Sequence, residues 1–213
     1  MKVLIAGANG QIARRLARVL RDGGHEVRGL IRSPEQADAI RELGAEPVVA
    51  DLEGELDQAV VDGCHAIVFA AGAGPGSGAE RKESMDYGGA VKLVDAAEAR
   101  GVDRYLMVSA MGAADPDAGP EAMQPYLRAK AAADERLAAS TLDYTIVRPG
   151  LLTDDAGTGA VEVGVPSLGR RGRIPRDDVA EVLAACLELE ATVGKTLEVL
   201  SGGTPVREAL SSL

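Results

Sequence analysis

Residues Lys2 to Ala13, KVLIAGANGQIA, constrain this chain more than any other stretch. Val3-Leu4-Ile5-Ala6 is apolar, rich in branched side chains and too short for a helix, which predicts a buried strand. Gly7 and Gly10 follow, and Ile12, Leu16, Val19 and Leu20 then recur at helical spacing. Strand, glycine turn and helix is the layout that cradles a diphosphate. Glycines turn the backbone tightly and let phosphate oxygens reach main-chain N–H groups, and the positive end of the helix faces the anion. The spacing Gly7-x-x-Gly10-x-x-Ala13 is a variant of the dinucleotide fingerprint, with Ala13 as the small residue that lets helix and strand pack closely. Taken alone, the stretch is also compatible with an ordinary strand-to-helix turn.

The rest of the chain repeats the alternation. Strands are predicted at Val27–Ile31, Glu46–Ala50, His65–Ala70, Arg104–Ser109, Tyr144–Arg148 and Thr196–Leu200. Helices are predicted at Pro34–Leu43, Leu56–Val61, Asp86–Arg100, Met123–Ala139, Asp177–Leu189 and Val206–Leu210. Such alternation demands right-handed crossovers and a parallel sheet covered on both faces. The expected fold is therefore α/β: a single Rossmann-type doubly wound parallel sheet of about seven strands flanked by helices on both faces. One domain is expected over 1–213. Residues 151–173, which have no helical period, and the C-terminal tail would form a small cap on the substrate side. The small-residue loop Ala71–Gly78 reads equally as a flexible lid or as a plain connection.

The end of the second strand selects the nucleotide. An acid there commonly accepts hydrogen bonds from the ribose hydroxyls of NAD. This chain carries Arg32, whose guanidinium would pair with a 2′-phosphate. NADP(H) is favoured and NAD(H) is possible; a solvated arginine at a strand end is the competing reading. Further on, Ser109 ends the fifth strand at the carboxyl edge, and Tyr126 and Lys130 lie one turn apart on one helix face. A phenol has an ordinary pKa near ~10, too high for ready proton transfer at neutral pH. A nearby ammonium favours the phenolate. Ser109 could hold the substrate oxygen while a hydride moves at its carbon.

With these residues in place the chain resembles the short-chain dehydrogenase/reductase superfamily, in particular its atypical NAD(P)H-binding branch of small epimerase/dehydratase-like and flavin- or biliverdin-reductase-like proteins. The resemblance rests on GANGQIA at 7–13, SAMGA at 109–113, YLRAK at 126–130, DYTIVRPG at 143–150 and IPRDDVAEVL at 174–183. It implies that Gly7, Asn9, Gly10, Gln11 and Ile12 line the pyrophosphate and that Arg32 lies at the adenosine phosphate. Asp51 and Leu52 would lie at the adenine, Ala70, Ala71 and Gly72 along the ribose, and Pro149, Gly150 and Leu151 near the nicotinamide. Ser109, Tyr126 and Lys130 match the catalytic trio, with Lys130 also a ribose ligand. The implied activity is oxidoreduction of a small carbonyl, alcohol or quinone-like substrate. A non-catalytic redox sensor and a small NAD-dependent sugar epimerase or dehydratase are the alternatives. Residues 151–173 and the tail leave little to grip a large sugar nucleotide. The resemblance also makes a homodimer through the helices at 86–100 and 122–140 plausible, with a monomer equally compatible.

Composition narrows the partners. Lys+Arg is 23 against Asp+Glu 33, a formal net charge of -10, which argues against nucleic acid and anionic membrane. Cys64 and Cys186 lie in apolar surroundings and read as two free thiols in a reducing compartment. His25 and His65 have no ligand-spaced neighbours, so no metal site is expected. With no apolar run long enough to span a bilayer, and a strand beginning at once, a cytoplasmic protein is expected.

Overall fold

A computed structural model describes residues 1–74 and 76–213. Pro75, at the centre of the glycine-rich loop read at 71–78, lies outside the described residues. The chain runs β1 (Lys2–Ala6), α1 (Gln11–Asp22), β2 (Glu26–Ile31), α2 (Ala37–Arg41), β3 (Glu46–Val49) and β4 (Ala66–Phe69). Then α3 (Ala79–Arg81) continues through a π-helical segment (Lys82–Gly89) into α4 (Ala90–Arg100). After these come β5 (Arg104–Val108), α5 (Gln124–Ala138), β6 (Asp143–Pro149), β7 (Leu151–Thr153), β8 (Ala160–Gly164), β9 (Arg173–Pro175), α6 (Arg176–Glu188), β10 (Lys195–Ser201), β11 (Thr204–Pro205) and α7 (Val206–Ser211).

Nine strands form one sheet in the order β11-β8-β10-β6-β5-β4-β1-β2-β3. From β3 to β10 every pairing is parallel. Side-chain alternation along β1 explains why both faces are covered. Val3 and Ile5 join the core beneath α1 and α6, whereas Leu4 and Ala6 join the core beneath α4 and α5. The strand order reverses at β1, which has β2 on one side and β4 on the other. Their carboxyl ends therefore open the crevice where such sheets bind nucleotides.

The sheet differs from the expectation at one edge. Within residues 151–173, β8 extends the sheet antiparallel to β10, and β11 of the C-terminal tail pairs on β8. At either end of the segment, β7 and β9 pair as a parallel two-stranded ribbon, with Leu151 opposite Arg173. The loop between β8 and β9 covers β10, where buried Glu198 accepts hydrogen bonds from Ser167 Oγ (2.8 Å) and the Leu168 amide (2.7 Å). Both cysteines are free, and burial pushes the Cys186 thiol up to about 12, so it is inert at neutral pH. Among the described residues no helix is long and apolar enough to cross a membrane.

Candidate active site

The first loop is built for close approach. Gly7 has φ +74°, and a Cβ placed there would stand 2.6 Å from the Ala71 Cα, so the β1 and β4 loops meet at a spot that only glycine leaves open. Gly10 is the N-cap of α1, with no side-chain cap and no acid in the first turn. Uncapped N–H groups at the positive end of a twelve-residue helix suit an anion. Arg14, on the second turn, donates to Asn9 Oδ1 at 2.9 Å and adds a cation beside the loop. The cradle therefore fits a dinucleotide diphosphate. Gln11 is exposed, while Ile12 is half-buried against the core.

Around the adenosine end the residues separate in role. Arg32 is exposed at the end of β2 and lies 3.8 Å from Glu53 Oε2. Glu53 is held more closely by Arg81 (3.2 Å) and by Ser84 Oγ (2.7 Å), which leaves Arg32 the loosest of its partners. Asp51 is exposed and accepts from the Glu53 amide at 2.9 Å. Leu52, by contrast, is buried in the core beside Gly89 and offers its carbonyl to Lys92 Nζ. Ala70 is half-buried, Ala71 is buried and Gly72 is exposed along the β4 loop. Past β6, Pro149 is buried, Gly150 is half-buried and Leu151 stands 63% exposed, the most open large apolar side chain of the described residues.

Tyr126 and Lys130 come together on α5, with Lys130 Nζ 5.9 Å from the Tyr126 ring centre and 5.7 Å from that of Phe69. Lys130 is buried and donates to the Val108 carbonyl at 3.1 Å, next to Ser109. Ser109 is also buried, and its Oγ donates to Asp134 Oδ2 at 2.7 Å. Its proton is thereby committed to the carboxylate, so its lone pairs are left for a partner that donates. Arg148 Nε shares the same Asp134 oxygen at 2.9 Å. Desolvation raises the Asp134 pKa, with Ser109 and Arg148 working against it.

Three residues of this cluster carried no role in the sequence reading: Asp86, Asp134 and Arg148. Asp86 lies in the π-helical segment and is 1% exposed. Its Oδ1 stands 3.2 Å from Lys130 Nζ, and its Oδ2 accepts from the Ala73 amide at 3.1 Å. The signal for both acids was phase. Asp86 leads the buried positions Ala90, Val94 and Ala97, and Asp134 sits between Lys130 and Leu137 on the buried face of α5.

The phenol corrects an expectation. Lys130 does pull the Tyr126 pKa down, but desolvation by burial outweighs it, and Asp86 and Asp134 push the same way as burial. The result is a pKa above the ordinary phenol value instead of below it. Tyr126 is a neutral acid in this structure, not a standing base.

A family model described as NAD(P)H-binding matches residues 7–190, spanning the glycine loop, the Ser109–Tyr126–Lys130 region and α6. The chain belongs to the NAD(P)H-binding family. It is 41% identical, over the whole of both chains, to YhfK of Bacillus subtilis, described as an uncharacterized sugar epimerase. A solved structure from Bacillus halodurans, provisionally described as an NAD-dependent epimerase/dehydratase, is 45% identical over all of both chains with a TM-score of 0.96. The oxidoreductase YlbE of Lactococcus lactis is 27% identical, covering all of this chain and 96% of that one, with a TM-score of 0.87. Family and neighbours place the chain in an atypical branch related to the short-chain dehydrogenases/reductases, whose members are described both as oxidoreductases and as epimerases.

Proposed function

We propose that the protein is an NADP(H)-dependent reductase of a small carbonyl or quinone-like acceptor. The observation that carries this reading is Tyr126 beside buried Lys130, with the ammonium 5.9 Å from the ring centre, on a helix whose Leu127 packs against Gly112 in the loop after β5. When bound, the nicotinamide supplies or accepts the hydride. Gly7, Gly10 and the first-turn amides of α1 would hold the diphosphate, with Arg14 as an added cation and Arg32 at the 2′-phosphate. Lys130 would bind the ribose, and the β4 loop at Ala70–Gly72 would lie alongside it. Tyr126 gives its proton to the acceptor oxygen as the adjoining carbon is reduced, and solvent returns that proton afterwards. Ser109, its own proton held by Asp134, accepts from the hydroxyl that forms.

The experiment is a screen of small aldehydes, ketones and quinones for acceptor-dependent oxidation of NADPH, followed by Tyr126→Phe. Loss of the proton donor should lower kcat by about 10²–10⁴-fold while NADPH still binds. Unchanged turnover would remove the proton-transfer role. Failure of every acceptor to oxidise NADPH would favour a cofactor-binding sensor. The likeness to an uncharacterized sugar epimerase supports a second reading, in which tightly held NAD is recycled. An epimerase starts by taking a proton from a hydroxyl, a step that the burial of Tyr126 disfavours by raising its pKa. Mass spectrometry of the co-purified nucleotide separates the two, since retained NAD supports the epimerase.

A further inference from the structure

We propose that Arg171 and Arg173 form the anion-binding end of the substrate site, so that the acceptor carries a carboxylate on an apolar body that rests against Leu151. This substrate class rests on the reductase reading. Asp and Glu outnumber Lys and Arg by 33 to 23, so acids are plentiful and an arginine without one is the uncommon case. The neighbouring arginines follow that rule. Arg170 pairs with Glu162, Arg176 with Asp154 at 2.9 Å and Arg148 with Asp134 at 2.9 Å. Arg171 and Arg173 are exposed, and among the described residues neither guanidinium has an ion pair or a side-chain hydrogen bond. The molecule as a whole, at -10, repels anions, so a local pair of uncommitted cations is what would draw one in.

The fold brings both arginines to the carboxyl edge of the sheet. The Leu151 amide donates to the Gly172 carbonyl at 2.9 Å, and a Cβ on Gly150 would stand 2.6 Å from that oxygen. The backbone between the two arginines thus lies directly against the turn that follows β6, where the nicotinamide end of the cofactor would lie. Leu151 is opposite Arg173 in the β7–β9 ribbon, and side chains along a strand alternate between its faces. Ile174 is buried in the core beneath α1 and α6, and Leu152 packs against the same core. Leu151 and Arg173 are therefore turned to the other face, on the side of the sheet where α5 carries Tyr126. Leu151 is 63% exposed, so an uncovered apolar side chain adjoins two cations that lack an acid. A ligand that is apolar along its body and anionic at one end satisfies both. The guanidinium is a planar fork of donors, which matches the two oxygens of a carboxylate.

The test compares two aldehydes of similar shape, 4-carboxybenzaldehyde and its methyl ester, with NADPH. The ester has the more electrophilic carbonyl, so a preference for the carboxylate reports recognition and not reactivity. In the wild type kcat/KM should favour the carboxylate by about ten- to a hundredfold, mostly through KM, the size expected of charge-assisted contacts. Arg171→Gln/Arg173→Gln should bring that ratio close to one, and Arg171→Lys/Arg173→Lys should restore part of it. Both side chains are exposed, so these variants should fold as the wild type does. A ratio near one in the wild type, or a preference that survives in the glutamine variant, would overturn the proposal and leave reductase activity standing. Binding of benzoate, followed by NMR titration with and without NADPH, needs no turnover. Its Kd should rise about tenfold or more in the glutamine variant, and an unchanged Kd would overturn the site. Turnover of neither aldehyde, together with weakened benzoate binding, would retire the reductase reading and leave the anion site in place. An equal loss of NADPH affinity in the glutamine variant would also overturn the proposal, because the arginines would then serve the cofactor.

Discussion

Arg32 is the side chain on which the proposed preference for NADP rests. It sits at the end of β2, more than half exposed, and the acid nearest to it, Glu53, is already engaged by Arg81 and Ser84. A phosphate arriving there would compete with a weak contact instead of a closed ion pair. A charge-assisted hydrogen bond is worth about 1.5–3 kcal/mol. Arg32→Ala should therefore weaken NADP binding on the order of ten- to a hundredfold and leave NAD nearly unaffected, as read by calorimetric titration of both nucleotides. Equal weakening of the two would show that the arginine acts on something other than the 2′-phosphate. Leu52 makes the contrast. It was read as lying near the adenine, and the fold spends its side chain on the core, so that the neighbouring exposed Asp51 is the one left at the surface.

At the scale of elements, strands β1, β2, β4, β5, β6 and β10 were legible because each carries a short, dense apolar run. Those runs pack on both faces, so the order of apolar residues alone announces them. Strands β7, β8 and β9 were not legible. Two of them are three residues long, and β8 is mostly half-buried, so tertiary pairing decides their state and composition does not. Ser109, Tyr126 and Lys130 could be found from order and spacing. Asp86 was hidden because it was read as the start of a helix that in fact begins at Ala79 and passes through a π-helical segment. The α4–α5 pair offers a separate test of packing at this scale. Arg136 on α5 reaches Asp95 (2.6 Å) and Glu98 (2.7 Å) on α4, and Glu98 also accepts from the Thr141 amide at 3.1 Å. These groups lie at the surface and are only partly buried, so Arg136→Met should cost only about 0.5–1 kcal/mol in urea unfolding at neutral pH. Arg136 and the Thr141 amide hold the Glu98 pKa below its ordinary value. Its contribution is therefore complete above the unfolded pKa of about 4.3 and is lost as pH falls through the lower folded value. The gap between variant and wild type should close on acidification through that window; a gap that persists would mean Arg136 acts by packing alone.

For the whole molecule the decisive fact is that five loops of the candidate site leave one sheet at the same edge. The glycine loop follows β1, Arg32 follows β2, Gly72 follows β4, Ser109 follows β5 and Gly150 follows β6, all at the carboxyl edge. The net charge of -10 would repel a dinucleotide at long range, so the proposed binding rests on local features: the α1 amides, Arg14 and Arg32. A ligand held by five loops of one sheet binds the folded state and has little affinity for the unfolded chain, in which those loops are far apart. Mass action then fixes the size of the effect. NADP at a hundredfold excess over its Kd should add about 2.7 kcal/mol to stability, which for a domain of this size raises Tm by about 5–10 °C. At the same concentration NAD should give a smaller rise, in proportion to the logarithm of its weaker affinity. Differential scanning calorimetry reads both, and a single transition should persist with and without nucleotide because the strands share one sheet. If neither nucleotide moved Tm, the loops would not be acting as one binding edge, and the role assigned to Tyr126 would lose the neighbour it requires.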